Sequence, residues 1–347
     1  MNMKKIVFLT IILLTSLLFA ACSSDSSEES SANENSDSNE NSDSSENAGN
    51  DADYPSDTMK LIIPWGSGGN ADVFGRKVMS VIEEGIDEST VVENQTGAGG
   101  EVAITNFAVE QPDPHTFLKT SASNFALTPQ FKEVKYSQDD FKPVVGNIFS
   151  QFVLMTNPEE TGIESMEDLK EYGQDQTIKF GSTSGPGGDT YTIQAALFKE
   201  MGIDAENVVL DGGQDLVNNL LGGHVDVTVG IQPLADEYYK SGELQPLASF
   251  SPEAYELEGI DPVPPLTELG YDIEYRSLNF LNVAKDTPDE VVDAIHDKFI
   301  EAYEDEEFKE FVEENSFVMA PMNSEEITEF IENQKSDMKR FLELIEE

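Results

Sequence analysis

The chain has 347 residues, with 68 acidic against 20 basic side chains and a formal net charge of −48. A surface of that sign repels phosphate backbones and anionic headgroups, which excludes nucleic acid and acidic lipid as partners. The single cysteine excludes an internal disulfide.

At the start, Lys4 and Lys5 precede an apolar run, Ile6 to Ala21. The run is short for a membrane span and has the flanks of an export signal, so residues 1–21 read as a signal peptide. Leu18-Phe-Ala-Ala-Cys22 is similar to a bacterial lipobox, in which the cysteine is lipidated and becomes the first mature residue. The alternative is an ordinary signal peptide with a chance cysteine. The stretch that follows, to Asp57, is rich in Ser, Asn, Asp and Glu and has no Lys or Arg. It cannot bury enough apolar surface to fold, so residues 22–57 read as a disordered tether. A flexible chain of that length spans about 30–35 Å, and like-charge repulsion extends it. Without the tether's 11 acidic residues and Lys4 and Lys5, 57 acidic and 18 basic residues remain, a net of −39. A saline habitat, whose ions screen such repulsion, is one physical reason for it.

From Thr58 onward, strands and helices alternate. Apolar runs at Lys60–Pro64, Thr90–Glu93 and Thr116–Lys119 predict strands, with helices over Ala71–Glu84 and Glu101–Val109. Further strands are predicted at Val144–Phe149, Phe152–Thr156, Ile178–Gly181, Val208–Leu210, Val225–Val229, Leu244–Phe250 and Ser277–Ala284. Ser165 with Asp168 forms a capping-box pattern, and Asp189 opens a helix running to Met201. Thr287-Pro288-Asp-Glu290 and Asn323 with Glu326 start the C-terminal helices, whose Phe299, Phe308, Phe311, Phe330 and Phe341 read as core. The pattern implies an α/β architecture with largely parallel sheets, in two domains.

Two segments echo one another. LIIPWGSGGNADVFGRKV and TIKFGSTSGPGGDTYTIQAALF are each strand, Gly/Ser loop, Asp, helix, about 115 residues apart. A helix N-terminus offers unpaired N–H groups and about half a positive charge, and glycines let an anion approach them. Two such loops facing each other would grip an anion without a cationic side chain. The first loop, Gly66-Ser-Gly68-Gly-Asn-Ala71, also fits a G-x-G-x-x-A dinucleotide fingerprint, with Glu93 near the position of a ribose-binding acid. Against a nicotinamide enzyme stand the rigid Pro64-Trp65 pair, export without a twin-arginine signal, and the second loop.

Six stretches in order resemble the extracytoplasmic solute-binding proteins of tripartite tricarboxylate transporters. They are Ile63-Pro-Trp-Gly-Ser-Gly-Gly-Asn-Ala-Asp72, Val91-Val-Glu-Asn-Gln-Thr-Gly-Ala-Gly-Gly100, Gln111-Pro-Asp-Pro-His-Thr-Phe117, Leu221-Gly-Gly-His-Val-Asp226, Ser241-Gly-Glu-Leu-Gln-Pro-Leu-Ala248 and Pro265-Leu-Thr-Glu-Leu-Gly270. The likeness runs over nearly all of Met59 to Glu347. It implies an α/β, two-domain periplasmic-binding-protein fold of type II, with a hinge, an inter-domain ligand cleft and C-terminal helices. Domain 1 would be 58–150 with 272–347, and domain 2 would be 151–271. The resemblance implies a non-enzymatic, lipid-anchored receptor, monomeric and outside the cell membrane, with no cofactor and no metal. It would deliver a small carboxylate to a two-component permease. Ligand contacts carried over are Trp65, Ser67, Gly68, Gly69, Asn70 and Asp72, then Ser121 and Ser123, then Ser182, Thr183, Ser184, Gly187, Gly188, Asp189 and Thr190.

The second loop departs from the family's usual G-x-G-S-S-x-H, with Asp189 for a serine and Thr192 for the histidine. An acid there lowers anion affinity unless it caps the helix or meets a cation on the ligand. Arg76, four residues after Asp72, reads as its ion-pair partner, and Arg276, near the hinge, as a candidate grip on a distal carboxylate. His115, His224 and His296 are scattered and lack Cys partners, which gives neither a metal site nor a triad. A receptor of the same fold could instead signal to a membrane sensor kinase, and the sequence leaves that open.

Overall fold

The computed structural model describes residues 54–231 and 235–346. The signal peptide, Cys22 and most of the tether lie outside the described residues.

Strands β1 (Met59–Ile63), β2 (Thr90–Asn94), β3 (Thr116–Ser121), β4 (Phe141–Thr156), β5 (Ile178–Ser182), β6 (Ala205–Val209), β7 (Val227–Ile231), β8 (Gln245–Ser249), β9 (Arg276–Ala284) and β10 (Val318–Met319) join one sheet. Its order is β2-β1-β3-β9-β4-β7-β5-β6, with β8 and β10 also on β4. The helices are α1 (Asn70–Glu84), α2 (Glu101–Glu110), α3 (Met166–Asp175), α4 (Asp189–Met201), α5 (Gly213–Leu221), α6 (Asp236–Ser241), α7 (Asp289–Glu304), α8 (Glu306–Glu314) and α9 (Ser324–Glu346), besides isolated turns. Among the described residues no helix is long and apolar enough to cross a membrane.

Two sequence expectations are corrected. The sheet is mixed: β1 pairs β2 and β3, and β5 pairs β6 and β7, in parallel, but every contact of β4 and β9 is antiparallel. And the runs Val144–Phe149 and Phe152–Thr156 are one 16-residue strand. Its first part pairs β9 to Gln151↔Arg276, and its second part pairs β7 from Phe152↔Ile231. The polar Ser150-Gln151 step that breaks the apolar run is the point where β4 leaves one set of neighbours for the other.

Each half of the sheet has its own core. In the first, Phe74, Val78 and Ile82 of α1 pack with Ile295 and Phe299 of α7 over β1, β3 and β9. In the second, Ile193, Leu197 and Phe198 of α4 pack with Phe152, Phe180 and Val227. Full burial of each such side chain contributes about 1.5–3 kcal/mol. The long α9 serves both. Ile327 and Ile331 pack with Phe149 and Phe280, whereas Met338 and Phe341 pack in the cluster of α4 and Phe152. Of the five C-terminal phenylalanines, Phe299, Phe308 and Phe341 are fully buried, and Phe311 and Phe330 pack against the cores.

The predicted helix starts hold with one shift. Ser165 and Asp168 exchange hydrogen bonds at α3, as do Asn323 and Glu326 before α9. At α7 the cap falls on Pro288 instead of Thr287. Thr287 is drawn into the structure, where its carbonyl accepts from Lys142 Nζ at 2.6 Å.

Lys119 on β3 is fully buried, and its ammonium has no hydrogen-bond partner among the described residues. It lies 4.6 Å from the centroid of the Phe74 ring. Burial lowers its pKa from 10.5 to about 7. The folded state therefore binds fewer protons than the unfolded chain between pH 7 and 10.5, and stability rises with pH across that window. Lys119→Met should stabilise the protein by about 1–4 kcal/mol below pH 7. That gain should shrink toward nothing as pH climbs to 10.5. Urea unfolding of both proteins across this range reads it directly. A gain independent of pH would place the Lys119 charge elsewhere.

Candidate functional site

The register of the sheet brings both Gly/Ser loops to one place. β1 and β3 run parallel with Ile62↔Leu118, so Trp65, just past β1, is level with Ser121 at the end of β3. Antiparallel β9 begins at that same end, and Ser150 of β4 faces Ser277 there. From the other side, β5 and β7 end where Ile231 meets Phe152. The carboxyl ends of both strand groups thus converge on the Ser150–Phe152 step of β4, which is where ligands bind in open α/β sheets.

The first loop is organised by Asp72, 3% exposed, in the first turn of α1. One carboxylate oxygen accepts the Gly68 N–H at 2.9 Å. The other accepts Asn94 Nδ2 at 2.9 Å and pairs with Arg76 at 2.9 Å. Arg76 donates to Asn94 Oδ1 at 2.6 Å, and Asn94 donates to the Trp65 carbonyl at 3.0 Å. Burial opposes ionisation of Asp72, but the bonds from Arg76, Gly68 and Asn94 outweigh it and hold the carboxyl below its ordinary value. Asp72 is thus turned inward, and the predicted i, i+4 pair with Arg76 is present. Ser67, Gly68 and Gly69 are exposed, Asn70 starts the helix, and the Trp65 ring packs against the first core. Gly68 has φ +83°, open to glycine without strain.

In the second loop, Ser182 and Thr190 are buried and shape the turn. Ser182 Oγ lies 2.8 Å from Asn207 Oδ1 and is in contact with the Ser184 carbonyl, to which its single proton can alternatively be donated. Thr190 Oγ1 accepts the Thr183 N–H at 3.1 Å and lies 3.1 and 3.3 Å from the hydroxyls of Thr183 and Ser184. Thr183, Ser184, Gly187, Gly188 and Asp189 are half-buried. Gly187, at φ +99°, lies against Phe131 so closely that a Cβ there would come within 2.8 Å of the Phe131 Cβ. This contact ties the second loop to the segment after β3.

Asp189 Oδ1 accepts the Thr190 N–H at 2.8 Å, and Tyr275 OH approaches Oδ2 at 3.5 Å. Burial raises the Asp189 carboxyl above its ordinary value, against the opposing pull of those N–H and O–H groups. Tyr275 is 3% exposed, and burial holds its phenol well above 10.0 against the opposing pull of Ser277 and Ser123. Ser121 Oγ lies 2.6 Å from Ser277 Oγ and 3.0 Å from Ser123 Oγ, and Asn279 Nδ2 donates to Ser150 Oγ at 3.1 Å. A chain of hydroxyls therefore runs from Asp189 in one half to Ser121 in the other. Ser121 and Ser123 were expected there from sequence. Tyr275, Ser277, Asn279 and Ser150 were not. The signal for Tyr275, Ser277 and Asn279 is their period-two spacing at the start of β9.

Arg276 stands apart from this cluster. Its neighbour Ser277 faces the hydroxyls, so Arg276 faces the opposite side of β9. Its guanidinium lies 3.9 Å from the Phe149 ring centroid and 3.7 Å from Glu253. In this structure the side chain expected to grip a distal carboxylate makes a cation–π contact with Phe149 and an ion pair with Glu253. Glu93, the candidate ribose acid, pairs with Lys60 at 2.5 Å and accepts from Gln95, which leaves the dinucleotide reading without its acid.

Comparison with known proteins agrees with this architecture. Residues 74–347, well over half of the chain, match the family described as the tripartite tricarboxylate transporter family receptor. BugT of Bordetella pertussis is 27% identical over 227 residues, covering 63% of this chain and 67% of BugT. A protein encoded in the gbd 5′ region of Cupriavidus necator is 24% identical over 282 residues, 80% of this chain and 84% of the relative. Among solved structures, the periplasmic binding protein BugD superposes with a TM-score of 0.72 at 22% identity, over 84% of this chain and 98% of BugD. MatC of Rhodopseudomonas palustris, solved with bound malate, gives 0.70 at 19% identity, over 84% of this chain and 100% of MatC. The fold is thus the α/β, type II periplasmic-binding-protein fold, and the chain belongs to the tripartite tricarboxylate transporter receptor family.

Proposed function

We propose that this protein is a lipid-anchored extracytoplasmic receptor that captures a small carboxylate where its two Gly/Ser loops converge and hands it to a two-component permease. The observation that carries this reading is the convergence of two strand-loop-helix turns on one hydroxyl-lined step of β4. The helix N-terminal dipoles there suit an anion. Each arginine is engaged elsewhere, Arg76 by Asp72, Arg276 by Glu253 and Phe149, and Arg340 by Asp272, so the grip rests on backbone amides and hydroxyls. Bound malate in MatC and bound adipate in a second Rhodopseudomonas palustris structure of this fold (TM-score 0.73) support the ligand class.

In this reading the lobes 58–150 with 272–347 and 151–271 hinge about the Ser150–Gln151 step. The proposed contacts are Trp65, Ser67, Gly68, Gly69 and Asn70 in the first loop, with Ser121 and Ser123 beside it. The second loop supplies Thr183, Ser184, Gly187, Gly188 and Asp189, while Asp72, Ser182 and Thr190 hold the two loops in shape. Ligand on one loop recruits the other, and only contacts made in the closed form drive closure. Cys22 would carry the lipid, and the acidic segment after it would be the tether.

Thermal shift against mono-, di- and tricarboxylates, amino acids and NAD, at moderate and high salt, tests the class. A ligand at about a hundred times its Kd adds roughly 2.7 kcal/mol, raising the midpoint by several degrees. A saturable shift with one carboxylate is expected, and a shift with NAD alone would overturn the reading.

Gly69→Val is the clean probe of the first loop. Gly69 has φ −79° and ψ 166°, and a Cβ there meets only the Gly66 carbonyl at 3.7 Å. The variant should keep its melting point within a few degrees and lose carboxylate binding by a hundredfold or more. Undiminished binding would remove this loop from the site. Gly188 is unsuitable for the same test, because its Cβ would fall 1.7 Å from Ser184 Oγ.

Asp72→Ala should cost about 2–4 kcal/mol in urea unfolding, because it strands the Arg76 charge and the Gly68 and Asn94 donors. The loss relative to wild type should shrink only as pH falls below the ordinary carboxylate value and on through the lowered pKa of the folded Asp72. A cost under about 0.5 kcal/mol at pH 7 would mean that Asp72 does not organise the loop.

A further inference from the structure

Asp189 is an acid without a countercharge in a site built for an anion. No Lys, Arg or His forms an ion pair with it among the described residues, and the groups that act on it are N–H groups and the Tyr275 hydroxyl. The contrast with Asp72 is direct. Both acids sit in the first turn of the helix after their loop, but Asp72 is neutralised by Arg76 and saturated by three donors. Asp189 spends one oxygen on the adjacent Thr190 amide. The other has only Tyr275 OH at 3.5 Å, beyond ordinary hydrogen-bond length. Gly188, its N-cap neighbour, supplies no side chain, and the hydroxyls beyond Tyr275 are spent on one another, Ser121 with Ser123 and Ser277.

The local charges follow. Asp72 and Arg76 cancel, two helix N-termini contribute about half a positive charge each, and Asp189, when ionised, contributes one negative charge. The sum is close to zero, with the positive potential at the exposed Gly69 end of the first helix and the negative charge across the step on the second loop. A di- or tricarboxylate finds a repulsive partner in such a site. A ligand with a carboxylate at one end and an ammonium at the other fits both.

We propose that Asp189 is a specificity-determining residue that selects a zwitterion, a carboxylate also bearing an ammonium group, by accepting that ammonium while the Gly66–Gly69 loop holds the carboxylate. The inference rests on the carboxylate-receptor reading above and narrows it. Tyr275 is the positioning residue: it is buried, and its hydroxyl lies 3.5 Å from Oδ2.

The test is calorimetric titration of the refolded, ligand-stripped protein at pH 7.5 with pairs that differ only by the ammonium: glycine and acetate, alanine and propionate, glutamate and glutarate. In at least one pair the amino acid should bind thirtyfold or more tighter than its des-amino partner. Asp189→Asn, which keeps the oxygen that accepts the Thr190 amide, should weaken that amino acid at least tenfold and leave the des-amino acid unchanged or tighter. Tyr275→Phe should weaken the amino acid several-fold at constant melting point, and it serves as the readout if Asp189→Asn fails to fold. Equal or tighter binding of the des-amino acid to wild type overturns the zwitterion inference and leaves the carboxylate receptor standing. Tight amino-acid binding that both variants retain removes Asp189 from recognition. Binding by no member of any pair counts against both readings.

Discussion

Everything in this molecule hangs on one backbone ladder, the 16-residue strand β4. A strand that long must satisfy its N–H and C=O groups along its whole length, and no single neighbour here is long enough to do so. β9 and β10 serve the first part, and β7 and β8 serve the second. The change of partners forces two sheet halves to grow from one strand, each with its own core. It also aims the carboxyl ends of β1, β3, β5 and β7 at a common step. The site is a consequence of that geometry, since the loops following parallel strands end up facing one another without further design.

The electrostatics of the site differ from those of the surface around it. The surface is covered in acid, and ion pairs such as Lys60–Glu93 and Lys142–Asp289 offset only a small part of it. Within the loops, positive potential comes from oriented amides, which are fixed in place and carry no long flexible side chain to order on binding. Asp72 shows how an acid can support such a loop. It draws in the Gly68 amide from inside while Ser67 and Gly69 stay exposed. Asp189 stands two places earlier in its helix and has no arginine partner, and this is the main asymmetry between two otherwise echoing loops.

α9 gives the two halves a second connection. It begins among the residues packed beside β9 and ends among those packed beside α4, so a rotation of one half against the other must bend or slide this helix. Phe131 against Gly187 makes a third contact between the halves, close to the loop itself. Shear along a helix and a single aromatic contact are compatible with small closing motions.

Local periodicity and capping chemistry determined much of this protein by themselves. The strand and helix positions, the capping boxes at Ser165 and Asn323, the Asp72–Arg76 pair and the two glycine loops are all set within a few residues of sequence. Local rules were enough because each rests on hydrogen bonds or side-chain periodicity between near neighbours. Only the tertiary structure decided that residues 141–156 form one strand, because the break at Ser150-Gln151 reflects a change of partners distant in sequence. It alone placed Tyr275, Ser277 and Asn279 beside Ser121, and it turned Arg276 to the opposite face. Whether a side chain lines a site or backs away from it depends on the register of β9 between β3 and β4. That register is fixed by pairing across more than a hundred residues, which no local pattern encodes.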